Sequence, residues 1–170
     1  MSRTLPRWNQ LPLEDAAREI VSCCGSEKWA WELAGRRPFT DQRSLVASSD
    51  EIWNRLNVSD WMEAFSTHPR IGERKMPQAG SRQSAAWSSE EQRAVAEAES
   101  KTLEALALAN EEYEKRFGRV FIVCATGKSA AEMLEILQYR LGSDEETEIR
   151  VAAEEQRKIT NIRLEKWLAQ

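Results

Sequence analysis

The pattern of apolar and polar positions along this chain is that of a helical protein. It is clearest between about residues 89 and 116, where apolar side chains recur on one helical face: Val95, Leu103, Leu106 and Tyr113. Ser88 followed by Glu91 has the spacing of a capping box, and Gly118 marks an end. We therefore predict one long helix from about Ser89 to Arg116.

Start and stop signals predict further helices on both sides of the long one. Pro12 suits the first turn of a helix that Gly25 ends, and the pairs Ser129–Glu132 and Ser143–Glu146 have capping-box spacing. The predicted ranges are Pro12 to about Cys24, Lys28 to Ala34, Asp50 to Leu56, Ser59 or Asp60 to His68, Ser129 to Arg140 and Ser143 to about Leu168. Residues Met76–Ala86 contain proline, glycine and few large apolar side chains, which predicts a loop.

Val120–Ala125 is the one strand-like run in the sequence. We find no second run with which it could pair, and a lone strand cannot satisfy its own backbone hydrogen-bonding groups. We therefore interpret it as a buried extended segment within a helical protein. The predicted fold is all-α: a single compact domain of about seven or eight helices over residues 1–170, with one buried extended segment.

Composition excludes several classes of function. The chain carries 28 acidic and 24 basic side chains, which argues against a nucleic-acid binder with its basic stripe. No apolar run approaches the roughly 20 residues of a membrane span, and the N-terminus has no apolar signal core. The three cysteines are odd in number and lack metal-ligand spacing, so we expect buried free thiols. These features favour a cytoplasmic protein that contacts neither nucleic acid nor membrane.

The run Thr126-Gly127-Lys128-Ser129 after an apolar segment imitates a phosphate-binding loop. That motif needs a glycine five residues before Gly127, where this chain has Ile122. Without that glycine the backbone cannot form the nest of amides that wraps a phosphate. We therefore interpret the run as a turn followed by a helix N-cap.

His68 is the only histidine of the chain, and its side chain is the natural candidate for proton transfer near neutral pH. Because a residue before proline is pushed out of the helical region, Pro69 predicts that His68 closes a helix. Taken alone, a histidine at a helix end is more often structural than catalytic. Arg70 is a candidate anion ligand, although a solvated arginine is the simpler interpretation.

Three further side chains are candidates, and two of them have two interpretations. Glu91 is either a capping partner of Ser88 or a site carboxylate, and Gln92 lies where a helix N-terminus could receive an anion or a ureido oxygen. Arg163, flanked by apolar residues at helical spacing, is either a snorkelling side chain or a carboxylate clamp. The triplet Glu155-Gln156-Arg157 is interpreted as a solvated helix face.

The ordered set of these motifs resembles the OHCU decarboxylases, 2-oxo-4-hydroxy-4-carboxy-5-ureidoimidazoline decarboxylases of urate degradation. The residues that carry the resemblance are His68-Pro69-Arg70-Ile71-Gly72, Ser88-Ser89-Glu90-Glu91-Gln92, Tyr113-Glu114-Lys115-Arg116-Phe117-Gly118 with Phe121–Ala125, Trp31-Glu32-Leu33 with Arg37-Pro38-Phe39, and Lys158–Leu164. They cover almost the whole chain in order.

The resemblance implies an all-helical homodimer that uses no cofactor or metal and converts the ureidoimidazoline to (S)-allantoin and carbon dioxide. Carried over by motif, His68 and Glu91 are the catalytic residues. The implied substrate-binding residues are Pro69, Ser88, Gln92, Phe121, Ile122, Val123, Cys124, Ala125 and Arg163. Asn161 is the alternative to Arg163, because this helix is less distinctive than the other motifs.

Two other classes of protein remain open from the sequence. A non-catalytic helical interaction module would explain the acidic surface and the capped helices. Another cofactor-free enzyme acting on a hydantoin or ureide, such as a hydrolase, would use the same kinds of residue. Release of carbon dioxide separates the decarboxylase from both.

Overall fold

The structure is a computed structural model, and it describes residues 3–71 and 100–170. These residues form eight helices and no strand, so the predicted all-α class is confirmed. In chain order the helices are α1 Thr4–Asn9, α2 Leu13–Cys24, α3 Glu27–Gly35, α4 Gln42–Arg55, α5 Val58–Ser66, α6 Ser100–Phe117, α7 Ala130–Leu141 and α8 Glu145–Leu168. Within the described ranges, no helix is both long and apolar enough to cross a membrane.

The chain divides into two compact units. One unit comprises Met1–Ala64 with Arg157–Gln170, and the other comprises Phe65–Gln156. The boundaries fall inside α5 and α8, so each of these helices contributes residues to both units. The single domain predicted from length stays a prediction.

Tryptophan packing dominates the interior of the first unit. Trp8 has no exposed surface, stacks on Phe39 at 6.2 Å between ring centroids and meets the edge of Trp167 at 5.4 Å. Trp29 is equally buried, and its indole N–H donates to Ser49 Oγ at 3.2 Å. These indoles combine a large apolar surface with a satisfied polar group, which is how buried tryptophans contribute most to stability.

The second unit is built on the packing of α6 against α7 and the extended segment before α7. Leu106, Tyr113, Met133 and Leu137 have no exposed surface, and Phe121 joins them as an edge partner of the Tyr113 ring at 5.3 Å. The predicted buried segment Val120–Ala125 is confirmed for Phe121–Ala125, which lies in neither helix nor strand and is buried throughout, whereas Val120 is half-buried.

Local sequence signals correctly predicted several helix ends. Gly25 and Gly118 follow α2 and α6 with φ of 95° and 66°, the left-handed conformation that favours glycine. The capping box at Ser129 and Glu132 is present at the start of α7. The predicted Ser88–Glu91 capping box, the first part of the long helix and the Met76–Ala86 loop lie outside the described residues.

Two predicted starts are wrong, and one helix was not predicted. Helix α4 begins at Gln42 rather than Asp50, because the Asp41 side chain accepts the Ser44 amide at 2.7 Å and starts a turn in a polar stretch. The cap of α8 is Asp144 rather than Ser143, since Asp144 accepts the Thr147 amide at 2.8 Å. The six-residue helix α1 has no side-chain cap and was not predicted.

Candidate active site

His68 lies two residues beyond the end of α5. Its backbone N–H donates to the Phe65 carbonyl at 3.1 Å, so it closes the helix as Pro69 predicted. The ring is half-buried, and its Nε2 atom lies 2.7 Å from Oε1 of Gln156. A side chain of α8, 88 residues away in sequence, therefore fixes one edge of the imidazole.

The residues after His68 are held against α6. Arg70 makes a two-point ion pair with Glu114, with Nε–Oε1 and Nη2–Oε2 distances of 2.5 and 2.6 Å. Asn110, which is buried, donates to the Ile71 carbonyl at 3.0 Å. The interpretation of Arg70 as a solvated side chain is incomplete: 37% of the side chain is exposed, but its Nε and Nη2 groups both bind one carboxylate on α6. This pairing orients the chain that leaves His68.

The extended segment obtains its hydrogen bonds from side chains instead of a second strand. Arg140 Nη1 donates to the Ile122 carbonyl at 2.6 Å, and the Cys124 N–H donates to Glu155 Oε2 at 2.7 Å. Lys128 Nζ donates to the Cys124 carbonyl at 2.8 Å. This explains how a lone extended run is buried without leaving these backbone groups unsatisfied. Lys128 therefore binds the backbone of its own chain, which agrees with the rejection of a phosphate-binding loop at this position.

A buried ion pair supports the arginine that holds this segment. The Arg140 guanidinium pairs with the fully buried Glu148 and lies 4.6 Å from the centre of the Phe121 ring. Tyr113 OH donates to Glu148 Oε1 at 2.5 Å. Burial, together with the hydrogen bond to Glu148, raises the pKa of Tyr113, so its hydroxyl stays a donor. The network ties α6, α7 and α8 to the extended segment.

The triplet Glu155-Gln156-Arg157 is not the solvated face that the sequence suggested. Gln156 has no exposed surface, Glu155 binds the Cys124 amide and Arg157 pairs with Asp50 at 2.8 Å. Charged and amide side chains dominate the triplet, and such residues are mostly exposed, which explains the error. A helical signal was present, because Gln156 lies three residues before Ile159 and seven before Arg163, on the same face.

Arg163 belongs to the interior of the first unit. Its side chain has no exposed surface, so the snorkelling interpretation is wrong: a snorkelling arginine keeps its charged end in water. Its charge acts on the neighbouring thiols of Cys23 and Cys24. Burial raises the pKa of both thiols, that of Cys24 to about 12, and the Arg163 charge offsets only part of this. All three cysteines are buried thiols outside any disulfide, as predicted.

Asn161, the alternative to Arg163, forms a hydrogen bond with the side chain of Asp50. Its amide nitrogen donates to Asp50 Oδ1 at 3.1 Å. Asp50 therefore receives donors from both Arg157 and Asn161, which anchors α8 to α4 within the first unit.

The described residues contain part of the predicted site. His68 and Pro69 lie in one loop, and Glu155 and Gln156, neighbours on α8, hold the Cys124 amide and the His68 ring. Ser88, Glu91 and Gln92 lie outside the described residues. Among residues 3–71 and 100–170, no three histidine, cysteine or acidic side chains are grouped as metal ligands.

The fold and these contacts define a helical protein in which adjacent side chains of α8 bind its only imidazole and a buried backbone segment. The family model described as OHCU decarboxylase matches residues 9–165, and the chain belongs to that family.

Two curated relatives and one crystal structure give the extent of the similarity. The uric acid degradation bifunctional protein TTL of Arabidopsis thaliana is 40% identical over 156 residues, which are 92% of this chain and 48% of that protein. The 2-oxo-4-hydroxy-4-carboxy-5-ureidoimidazoline decarboxylase of Amia calva is 28% identical over 129 residues, 76% of this chain and 73% of that protein. A crystal structure of an OHCU decarboxylase in the presence of (S)-allantoin superposes with a TM-score of 0.77 at 36% identity, covering 89% of this chain and 98% of that one. The chain therefore spans about half the length of its Arabidopsis relative.

Proposed function

We propose that this chain decarboxylates 2-oxo-4-hydroxy-4-carboxy-5-ureidoimidazoline to (S)-allantoin, without a cofactor or metal. The observation that carries the proposal is the placement of the only imidazole against Gln156, within the His-Pro-Arg-Ile-Gly run that resembles the family. Family membership and the similarity to a decarboxylase studied with (S)-allantoin support the same reaction.

The substrate can accept the electrons that decarboxylation releases. The carbon that carries the carboxylate also carries the hydroxyl and adjoins a carbon–nitrogen double bond. When the bond to the carboxylate breaks, its electron pair forms a ring carbon–carbon double bond and the C=N pair moves to nitrogen, which takes a proton. The resulting enol loses its hydroxyl proton as the adjacent carbon gains one. The enzyme must therefore orient the carboxylate, move protons and protonate one face.

The proposed roles follow from this chemistry. His68 handles the hydroxyl proton and Glu91 assists it, a type of catalysis typically worth about 10²–10⁴-fold. Arg163 binds the carboxylate or a ring oxygen, since a buried guanidinium is a strong partner for an anion. Amide-type groups suit the ureido portion of the substrate. The proposed binding residues are Pro69, Ser88, Gln92 and the Phe121–Ala125 segment.

The test is product analysis on freshly generated substrate, because the compound is unstable. Wild-type protein should release one carbon dioxide per substrate and form (S)-allantoin with high enantiomeric excess. His68→Gln should fold normally and lose about 10²-fold or more in kcat. Near-full stereospecific production by His68→Gln would contradict the central role of His68. Hydrolysis without release of carbon dioxide would point to a ureide hydrolase. If the protein showed no activity and bound no ligand, an interaction module would be indicated.

We further propose a cytoplasmic homodimer that contacts neither nucleic acid nor membrane. The chain carries 28 acidic and 24 basic side chains, and this lack of a basic excess supports the proposal that it does not bind nucleic acid. Sedimentation equilibrium at micromolar concentration tests the dimer, which a monomeric mass of 19.5 kDa would contradict.

A further inference from the structure

Gln156 is a polar side chain with no exposed surface, and its Oε1 atom lies 2.7 Å from Nε2 of His68. We propose that Gln156 is the positioning residue that sets the ring orientation and the tautomer of His68. The inference rests on the proposed function, because it assigns one ring nitrogen to proton transfer in the decarboxylation. Gln156 itself acts through His68 and not on the substrate.

The amide oxygen dictates which nitrogen carries the proton. An amide oxygen can only accept a hydrogen bond, so the imidazole nitrogen that faces it must be the N–H donor. Neutral His68 then has its proton on Nε2 and its lone pair on Nδ1. In histidine-dependent enzymes the group that binds one ring nitrogen fixes the role of the other in this way.

The helix holds Gln156 firmly enough for this purpose. It lies in the interior of α8, where backbone hydrogen bonds fix its Cα, and burial restricts its rotamers. Its neighbour Glu155 binds the Cys124 amide at 2.7 Å. Consecutive helical residues point about 100° apart, so one turn of α8 holds two segments, the His68 loop and the extended segment.

With Nε2 bound to Gln156, Nδ1 is the nitrogen of His68 that takes part in proton transfer. The substrate hydroxyl proton moves to Nδ1 of His68, which becomes an imidazolium, while Nε2–H continues to donate to Gln156. The amide dipole stabilises the imidazolium without adding a formal charge. Nδ1 can therefore return its proton in the later protonation step and regenerate the same tautomer.

Nitrogen NMR of the single histidine tests the tautomer without reference to activity. Protein labelled with ¹⁵N-histidine gives one imidazole in long-range ¹H–¹⁵N spectra, because His68 is the only histidine. Above its titration the wild-type ring should be the Nε2–H tautomer, and Gln156→Met should give a mixture of both tautomers. A wild-type Nδ1–H ring, or an unchanged tautomer in Gln156→Met, would overturn the proposal.

Kinetics of two Gln156 variants provide a second readout. Gln156→Met should lower kcat by about 10–100-fold with little change in KM, as loss of a group that orients a functional histidine does elsewhere. Gln156→Glu keeps the acceptor and adds a charge, so it should keep the Nε2–H tautomer and move the acidic limb of the kcat/KM profile up by about one pH unit or more. An unmoved limb would overturn the proposal.

Two control variants separate positioning from general loss of stability. Ser49→Ala removes the buried hydrogen bond to Trp29 and should lower stability without changing the His68 spectrum. Gln138→Met makes the same substitution at an exposed position of α7. If the wild-type protein shows the Nε2–H tautomer but no decarboxylation, the proposed function fails and the positioning stands. If it decarboxylates while Gln156→Met behaves as wild type, only the positioning fails.

Discussion

Arg140 on α7 donates from Nη1 to the carbonyl of Ile122, 18 residues earlier, at a distance of 2.6 Å. The same guanidinium pairs with the fully buried Glu148. One arginine therefore neutralises a buried carboxylate and satisfies a backbone group of the extended segment. The partner charge offsets the desolvation free energy of a buried charge, and removing one partner leaves that free energy uncompensated. The stability of this unit therefore depends on the pair.

Replacing Arg140 alone should destabilise the protein strongly. Arg140→Met leaves Glu148 buried without its cation and should lower the free energy of unfolding by about 3–5 kcal/mol. The double variant Arg140→Met/Glu148→Leu removes both charges and should recover part of that loss. Urea denaturation measures all three proteins, and a double variant that is less stable than Arg140→Met would contradict this explanation.

Glu155 should determine how firmly the extended segment is held. Glu155→Leu removes the acceptor of the Cys124 N–H and should cost about 1–3 kcal/mol, the usual penalty for a buried donor left without a partner. Glu155→Gln keeps an acceptor and should cost less. Amide hydrogen exchange at Cys124 should accelerate in Glu155→Leu while the centre of α7 stays protected. Equal exchange rates in both variants would show that the carboxylate is dispensable.

Short-range patterns predicted the parts of this fold that depend on neighbouring residues. The capping box of Ser129 and Glu132 and the left-handed turn at Gly118 both involve residues within one helical turn. The apolar run Val120–Ala125 was likewise predicted to be buried and unpaired with another strand, and Phe121–Ala125 is buried.

The contacts that support the site could not be predicted in the same way. Arg140, Glu155 and Gln156 reach their partners across 18, 31 and 88 residues, and their polar character favours exposure on a helix considered alone. Only the fold shows that these side chains bind the backbone of the extended segment and contact the His68 imidazole. Arg163 is similar, because its local sequence allowed two interpretations and its burial removed one of them.

The two glycines that end α3 and α6 should respond to alanine in opposite directions. Gly118 has φ of 66°, so Gly118→Ala should cost about 1–2 kcal/mol through backbone strain although space for a methyl group exists. Gly35 lies at the last position of α3 with no atom within 4 Å of an added Cβ, so Gly35→Ala should stabilise by about 0.4–1 kcal/mol. Thermal unfolding of both variants checks the signs, and destabilisation by Gly35→Ala would contradict this assignment.

Glu19 should make the first unit sensitive to acid. Partial burial raises the pKa of this carboxyl, but hydrogen bonds from Arg7 at 2.5 Å and Trp167 at 3.0 Å outweigh it, so the pKa is lowered from its usual value. A carboxyl with a lowered pKa in the folded state adds stability above its unfolded pKa, and that stability is lost as the pH falls through the folded pKa. Glu19→Gln should therefore be less stable than wild type at pH 7.

The difference in the free energy of unfolding between wild type and Glu19→Gln should narrow as the pH falls below about 4. In that range the Glu19 carboxyl of the unfolded chain takes up a proton. Urea unfolding at pH 3 to 7 measures it, with Glu14→Gln as the matched control, since Glu14 pairs with Arg18 on the exposed face of the same helix. Glu14→Gln should follow the wild-type curve closely. A Glu19→Gln curve that stays parallel to wild type down to pH 3 would show that the Arg7 and Trp167 contacts do not stabilise the ionised form.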